Sequence, residues 1–225
     1  MPRTSTIAQL RMNISTLTVG ALETNCYVAV CPESPEAAVI DPGGDARQIL
    51  AEIRSLRAKV RWIVNTHGHG DHIAANAALK AAFPEAKLAV HEADAPMLVD
   101  ADLNLSGAFG MPITSPPADV LLHDGDEISF GALRLRVIHA PGHTPGGIAL
   151  YSPASAHSKN PVLFSGDALF QGGIGRSDFP GGSGEQLIQS IRTRLLTLPS
   201  DTVVYPGHGG PTTLGEEARS NPFLA

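Results

Sequence analysis

The 225-residue chain has only two cysteines, a single tryptophan and no apolar run long enough to span a membrane. Cys26 and Cys31 lie an odd number of residues apart on one expected strand, so their side chains point to opposite faces and do not pair easily. Two unpaired thiols suit a reducing compartment, and the opening Met-Pro-Arg-Thr-Ser-Thr leads into no apolar signal core. A cytoplasmic location is therefore expected, with no membrane partner. Cations are also in short supply: 16 Lys and Arg face 22 Asp and Glu, for a net charge of −6. A dedicated nucleic-acid binder would carry a clustered basic face, and that class is excluded. Aromatic residues make up just 5%, whereas 23 Gly and 18 Pro point to a loop-rich α/β protein. Length and an ordinary 43% hydrophobic content suit one domain over 1–225, with residues 1–12 as a loosely attached tail. Oligomeric state is not legible.

Period-two patterns predict strands at NISTLTV, CYVAV and AAVID, then at VRWIVNT, KLAVH, EISF, LRLRVIHA, GIALYS, PVLFSG and TVVYPG. Helical periodicity appears in QILAEIRSLRA, with Ile49, Leu50, Ile53 and Leu56 on one face and Asp45 placed to cap it. Further helices are expected at IAANAALKAAF, EADAPMLVDA and GEQLIQSIRTRLLTL. Residues 99–118, interrupted by Gly and Pro, read as a flexible flap or rim. Strands that first group and then alternate with helices, twice over, predict an αβ/βα sandwich: two mixed β-sheets with helices outside.

Chemistry concentrates where strands end. Thr66-His67-Gly68-His69-Gly70-Asp71-His72 follows an apolar strand. His67 and His69, two apart in extended chain, can face one point, and the glycines allow a sharp bend. Asp71 and His72 then open a helix, where neighbouring side chains splay apart and can serve a second ion. Three more residues share the setting: His143 in Pro-Gly-His-Thr-Pro-Gly, Asp167 in Ser-Gly-Asp-Ala-Leu-Phe and His208 in Tyr-Pro-Gly-His-Gly. Alone, each is a turn residue. Together they complete a dinuclear set, with His67, His69 and His143 on one metal and Asp71, His72 and His208 on the other. Asp167 bridges, because a carboxylate can give one oxygen to each cation. Such ligands suit two divalent ions, zinc first, with iron or manganese equally served. His139 is read as structural, and His91, His123 and His157 as ordinary surface or loop histidines.

This ordered set resembles the metallo-β-lactamase superfamily from about Ile14 to the end of the chain. The run Gly-Asp-Ala-Leu-Phe-Gln-Gly-Gly-Ile-Gly-Arg-Ser-Asp-Phe-Pro-Gly-Gly and the closing Asn-Pro-Phe-Leu look like the short glyoxalase II-like hydrolases. The resemblance implies a metal-bridging hydroxide as nucleophile, with Asp71 helping to orient it, and Asp41 in Ile-Asp-Pro-Gly-Gly as an orienter of the metal-binding loop; alternatively Asp41 is an ordinary Asp of a Pro-Gly turn. It implies a thioester substrate such as S-lactoylglutathione or a related hydroxyacylglutathione. A thiolate leaves without a dedicated acid, since a thiol's pKa is only about 8.5. Full-length glyoxalase II enzymes add a C-terminal helical domain with basic residues for glutathione, and no such domain is expected here. Arg176, just after the bridging Asp, matches a Lys of those enzymes and could grip a carboxylate of the glutathione end; alternatively it pairs with Asp178 to shape its loop.

Three other readings stay open. Persulfide dioxygenases share the fold and a similar Gly-x-Gly-Arg-x-Asp-Phe run, with one iron on the equivalents of His67, His143 and Asp167. True β-lactamases of the fold replace the bridging Asp with Cys or Ser, so Asp167 argues against that activity. A non-catalytic metal-binding protein would have an eroded site, whereas all seven candidate ligands are present.

Overall fold

The computed structural model describes residues 12–154 and 160–224; the expected tail, apart from Met12, and His157 lie outside the described residues. The first sheet is built from β1 (Asn13–Val19), β2 (Thr24–Val30), β3 (Glu36–Ile40), β4 (Lys59–Val64), β5 (Lys87–His91) and β6 (Val120–Leu122), adjacent in that order. β1 to β3 pair antiparallel and β3 to β6 parallel. Parallel neighbours need crossovers. These are α1 (Ala46–Ser55), the pair α2 (Gly70–Ile73) and α3 (Asn76–Ala82), and α4 (Ala95–Val99).

The second sheet holds β7 (Glu127–Phe130), β8 (Leu133–His139), β9 (Ile148–Ser152) and β10 (Val162–Gly166). A small ribbon of β11 (Leu169–Phe170) and β12 (Gly173–Ile174) follows. Then come α5 (Gly184–Ser190), continued by a π-helical turn at Ile191–Leu195, β13 (Val203–Pro206), β14 (Thr212–Thr213) and α6 (Leu214–Ser220). The spatial order is β14-β13-β10-β9-β8-β7, with β10 and β13 parallel.

Alternation along each strand sorts side chains into layers. On β2, Tyr27 and Ala29 face the second sheet, meeting Leu135, Leu150 and Phe164 in a core between the sheets. Val28 and Val30 face outward and pack with Ile49 and Ile53 of α1 and Leu79 of α3. On the far side Ile138, Leu163 and Val204 pack beneath Leu187 of α5 and Ile191. The result is the expected αβ/βα sandwich. Each fully buried Ile, Leu or Phe contributes about 1.5–3 kcal/mol relative to exposure. Among the described residues, no helix is long and apolar enough to cross a membrane.

Several local expectations need correction. Asp45 precedes α1 but does not cap it through its side chain; it sits in the left-handed region at φ 43°, and its carboxylate accepts from Gly20 N at 2.8 Å. The helix expected over IAANAALKAAF breaks before Asn76, because Ala75 N donates to Pro42 O at 2.8 Å and Asn76 bonds sideways to Asn65 and Ser115. Short elements β6, β14 and α6 escaped the periodicity, which a few residues cannot display. His91 is no surface histidine. It is buried, its ring stacks on His139 at 4.1 Å between centroids, and its Nδ1 accepts from Ala93 N. His123 is exposed and pairs with Glu92 at 3.2 Å. Cys26 and Cys31 are free and fall in different core layers.

Candidate metal centre

One end of the sandwich gathers the loops that follow β3, β4, β8, β10 and β13. Asp41, directly after β3, is buried with φ 50°, a left-handed conformation that Asp tolerates better than most residues. Its Oδ1 accepts from Thr66 N and its Oδ2 from the Thr66 hydroxyl, both at 2.7 Å, fixing the chain immediately before His67. The same Oδ2 lies 3.2 Å from His72 Nδ1. Asp41 thus touches both arms of the His67–His72 loop. Asn65 Nδ2 donates to His72 O at 2.9 Å and fastens the loop's far end.

Asp94, which sequence reading did not single out, does comparable work on the opposite side. It is fully buried. Its Oδ2 accepts from Gly68 N at 3.0 Å and from Thr144 Oγ1 at 2.7 Å, and its Oδ1 from Gly146 N at 2.6 Å. One carboxylate therefore ties the loop of His67 and His69 to the loop of His143. An Asp at the start of a helical turn looks like an ordinary cap in sequence, which is why no signal marked it. Asn25 and Tyr27 were also missed: Asn25 Nδ2 donates to Pro206 O and Gly209 O, and Tyr27 Oη to Pro206 O at 2.6 Å, holding the His208 loop from the other sheet. A polar Asn inside a wholly buried strand was the available clue.

The structure brings all seven predicted ligands together. Potential donor atoms of His67, His69 and His143 lie within 4.8 Å of one another, as do those of Asp71, His72 and His208. Asp167 reaches both sets, with Oδ2 3.5 Å from His143 Nε2 and Oδ1 3.5 Å from His72 Nε2. A side chain at residue 207 would drive its Cβ to 2.0 Å from Asp167 Oδ1, so Gly207 is what lets the carboxylate sit there.

The polar atoms are arranged for cations. His143 Nε2 lies 3.0 Å from His69 Nδ1 and 3.2 Å from His67 Nε2. His143 Nδ1 donates to Arg176 O at 2.6 Å, which turns its Nε2 lone pair toward the other rings. Burial, reinforced by neighbouring imidazoles, pushes His67 well below 6.5 and His69 to about 3, so these rings are neutral donors. Imidazole nitrogens clustered this closely can turn their lone pairs to a shared cation. Both nitrogens of His72 and Oδ1 of Asp167 are buried without a hydrogen-bond partner among the described residues. Burial disfavours charge on His72, yet Asp71, Asp167 and Asp41 together lift it to about 10, a local demand for positive charge. Burial works against ionisation of Asp71 as well, but His72, His208 and the Thr24 hydroxyl hold its carboxyl below the usual range. Orphaned buried polar atoms, clustered imidazole nitrogens and converging carboxylates fit a pair of divalent ions.

Above this floor opens a cavity of about 560 Å³, lined below by His69, Asp71, His143, Asp167 and His208. Its walls come from the turn between β1 and β2 and from residues 105–113, the segment read as a flap. That segment is irregular as expected but firmly braced. Gly70 N donates to Asn104 O at 3.0 Å, Asn104 Nδ2 bonds to Met97 O and Ile113 O, and the buried Ser106 hydroxyl donates to Asn104 Oδ1. Arg176 also lines the cavity, but its guanidinium is engaged. It donates through two nitrogens to the Asp178 carboxylate and lies 4.2 Å over the Phe179 ring.

Comparison with known proteins adds the following. Residues 19–208 match the model of the metallo-beta-lactamase superfamily. The hydroxyacylglutathione hydrolase GloC of Haemophilus influenzae is 40% identical over 215 residues, covering 95% of this chain and 98% of that protein. The crystal structure of BLEG-1, described as a B3 metallo-beta-lactamase, superposes with a TM-score of 0.88 at 38% identity, covering 94% of this chain and 99% of that one. TTHA1623, solved in a di-iron-bound form, gives a TM-score of 0.80 at 39% identity, covering 93% and 100%.

Proposed function

The chain belongs to the metallo-β-lactamase superfamily, and from that premise we propose that it is a dinuclear metallohydrolase cleaving a thioester, in the manner of a hydroxyacylglutathione hydrolase acting on S-lactoylglutathione. The observation that carries this reading is the convergence of two three-residue ligand sets on the two oxygens of Asp167 at the floor of one cavity. The nearly full-length similarity to GloC supports the substrate class. His67, His69 and His143 would hold one ion, Asp71, His72 and His208 the other, and zinc is the proposed metal, though the di-iron form of TTHA1623 keeps iron among the ions these donors serve. When bound, two such ions supply a hydroxide at neutral pH and polarise the substrate carbonyl.

The chain's own residues do the rest. Asp71 stays ionised and faces the cavity, fixed by the Thr24 hydroxyl at 3.0 Å, so its carboxylate can orient the attacking water. The Arg176 carbonyl and the Asp41 and Asp94 carboxylates hold the ligand loops, so little reorganisation is left for the reacting complex. A thiolate departs without prior protonation, which fits a floor made of metal ligands. Turnover of S-lactoylglutathione by zinc-reconstituted protein, abolished by a chelator, tests the reading; no turnover of any thioester would overturn it.

Two other activities have observations to meet. A mononuclear iron dioxygenase would use His67, His143 and Asp167 and leave Asp71, His72 and His208 without a task; oxygen uptake with glutathione persulfide would reveal it. β-Lactam hydrolysis has the BLEG-1 similarity in its favour, and that similarity weakens the exclusion drawn from Asp167. Assay of a chromogenic cephalosporin beside the thioester decides between them.

A further inference from the structure

The wall of the cavity differs in chemistry from its floor. Leu22, Phe109 and Met111 are all more than half exposed, at 57%, 62% and 56%, although they are large apolar side chains. They come from two segments remote in sequence and meet around one mouth, with Ile113, Phe170 and Phe179 continuing the apolar lining toward the ligands. Scattered exposed hydrophobics are ordinary; a ring of them around a concave site is not. The segment bearing Phe109 and Met111 is bonded to Gly70, beside Asp71, so the ring is held in place above the reacting centre. Arg176 is the only Lys or Arg among the described residues that line the cavity, and Asp178 already occupies it. A ligand rich in carboxylates would meet little there to pair with.

Resting on the thioester chemistry proposed above but departing from S-lactoylglutathione as the substrate preferred, we propose that the preferred substrate carries an apolar aliphatic or aromatic group beside the scissile bond, seated against Leu22, Phe109 and Met111. The floor recognises the carbonyl and the rim recognises hydrocarbon. Removal of apolar surface from water supplies the selectivity, which grows with chain length until the cavity is filled.

The experiment uses the metal-loaded full chain. One arm measures kcat/KM for acetyl, butyryl, hexanoyl and octanoyl thioesters of N-acetylcysteamine; a second keeps the acetyl group and lengthens an aliphatic thiol. Calorimetry separately compares binding of octanoate and acetate. A rise of about three- to fourfold per added methylene in either arm is expected, and the arm that rises identifies the side of the bond that the rim reads. Octanoate should bind at least tenfold more tightly than acetate. The double variant Phe109→Ser, Met111→Ser, whose exposed positions make loss of folding no concern, should cut both the octanoyl-to-acetyl ratio and the octanoate-to-acetate affinity ratio about tenfold. Flat series in both arms, together with octanoate binding no better than acetate, would overturn the proposal. Tight octanoate binding with no thioester cleaved would sink the thioester reading and leave the apolar site standing.

Discussion

The floor of the cavity and its rim are built on opposite principles. On the floor four of the seven candidate ligand side chains are buried and the other three half-buried, and their loops are tied down by a buried carboxylate or amide: Asp41 on Thr66, Asp94 on Gly68 and Thr144, Asn25 on the His208 loop. On the rim the side chains that face the cavity are exposed hydrocarbon, and only the backbone beneath them is braced. The floor fixes what reaction is possible. The rim, which costs little to change, chooses what is presented to it.

The largest effect is expected from removing the element that joins the two halves of the floor. Asp167→Ala should lower the metal content and reduce hydrolysis by more than about a hundredfold. His123→Ala, at an exposed position paired with Glu92, should change neither. Elemental analysis beside turnover checks both variants, and full activity in Asp167→Ala would mean the ligand set is wrong.

Asp94 tests whether the bracing matters beyond folding. Asp94→Ala leaves Gly68 N, Gly146 N and the Thr144 hydroxyl without their acceptor, at about 1–3 kcal/mol for each buried group left unpaired. Tm should fall by roughly 6 °C or more, and metal affinity should weaken about 10- to 100-fold. A lower Tm with unchanged metal affinity would make Asp94 a folding residue only.

How much of this was legible in the sequence follows the same division. The seven candidate ligands stood out because glycines and strand ends mark the places where a side chain can face an ion, and the sandwich followed from strands and helices with clear periods. Asp94 was invisible, and Asn25 left only the clue of a polar residue in a buried strand, because their partners, mostly backbone groups, come from distant segments that no local pattern records. His91 was misplaced for a related reason: its burial depends on stacking against His139 from the other sheet. The rim could not be read because Leu22 and Phe109 become neighbours of one cavity only after folding. The Arg176–Asp178 pairing, by contrast, is local and was one of the two readings available for Arg176.

Arg176 sharpens the comparison from the rim side. With its guanidinium held by Asp178 and Phe179, Arg176→Ala should raise KM for S-lactoylglutathione by less than about fivefold, and equally for a thioester without a carboxylate. A penalty of tenfold or more confined to the glutathione substrate would return Arg176 to the role of carboxylate reader.

The smallest effect concerns His91, away from the seven ligands. Burial first, and the adjacent His139 second, lower its pKa below 6.5. The unfolded chain then binds a proton that the folded chain resists, so this contribution to stability is present above pH 6.5 and is lost as pH falls below it. Denaturant titrations of His91→Gln should show a shallower loss of stability between pH 6.5 and 5 than the parent; identical slopes would mean that His91 titrates as it does in the unfolded chain.

The claim on which the rest depends is that the floor holds two ions. Reconstitution with zinc followed by elemental analysis should plateau at two metal ions per chain, since two complete ligand sets share Asp167. A plateau at one equivalent, however much metal is supplied, would contradict the dinuclear account and favour a mononuclear centre on His67, His143 and Asp167.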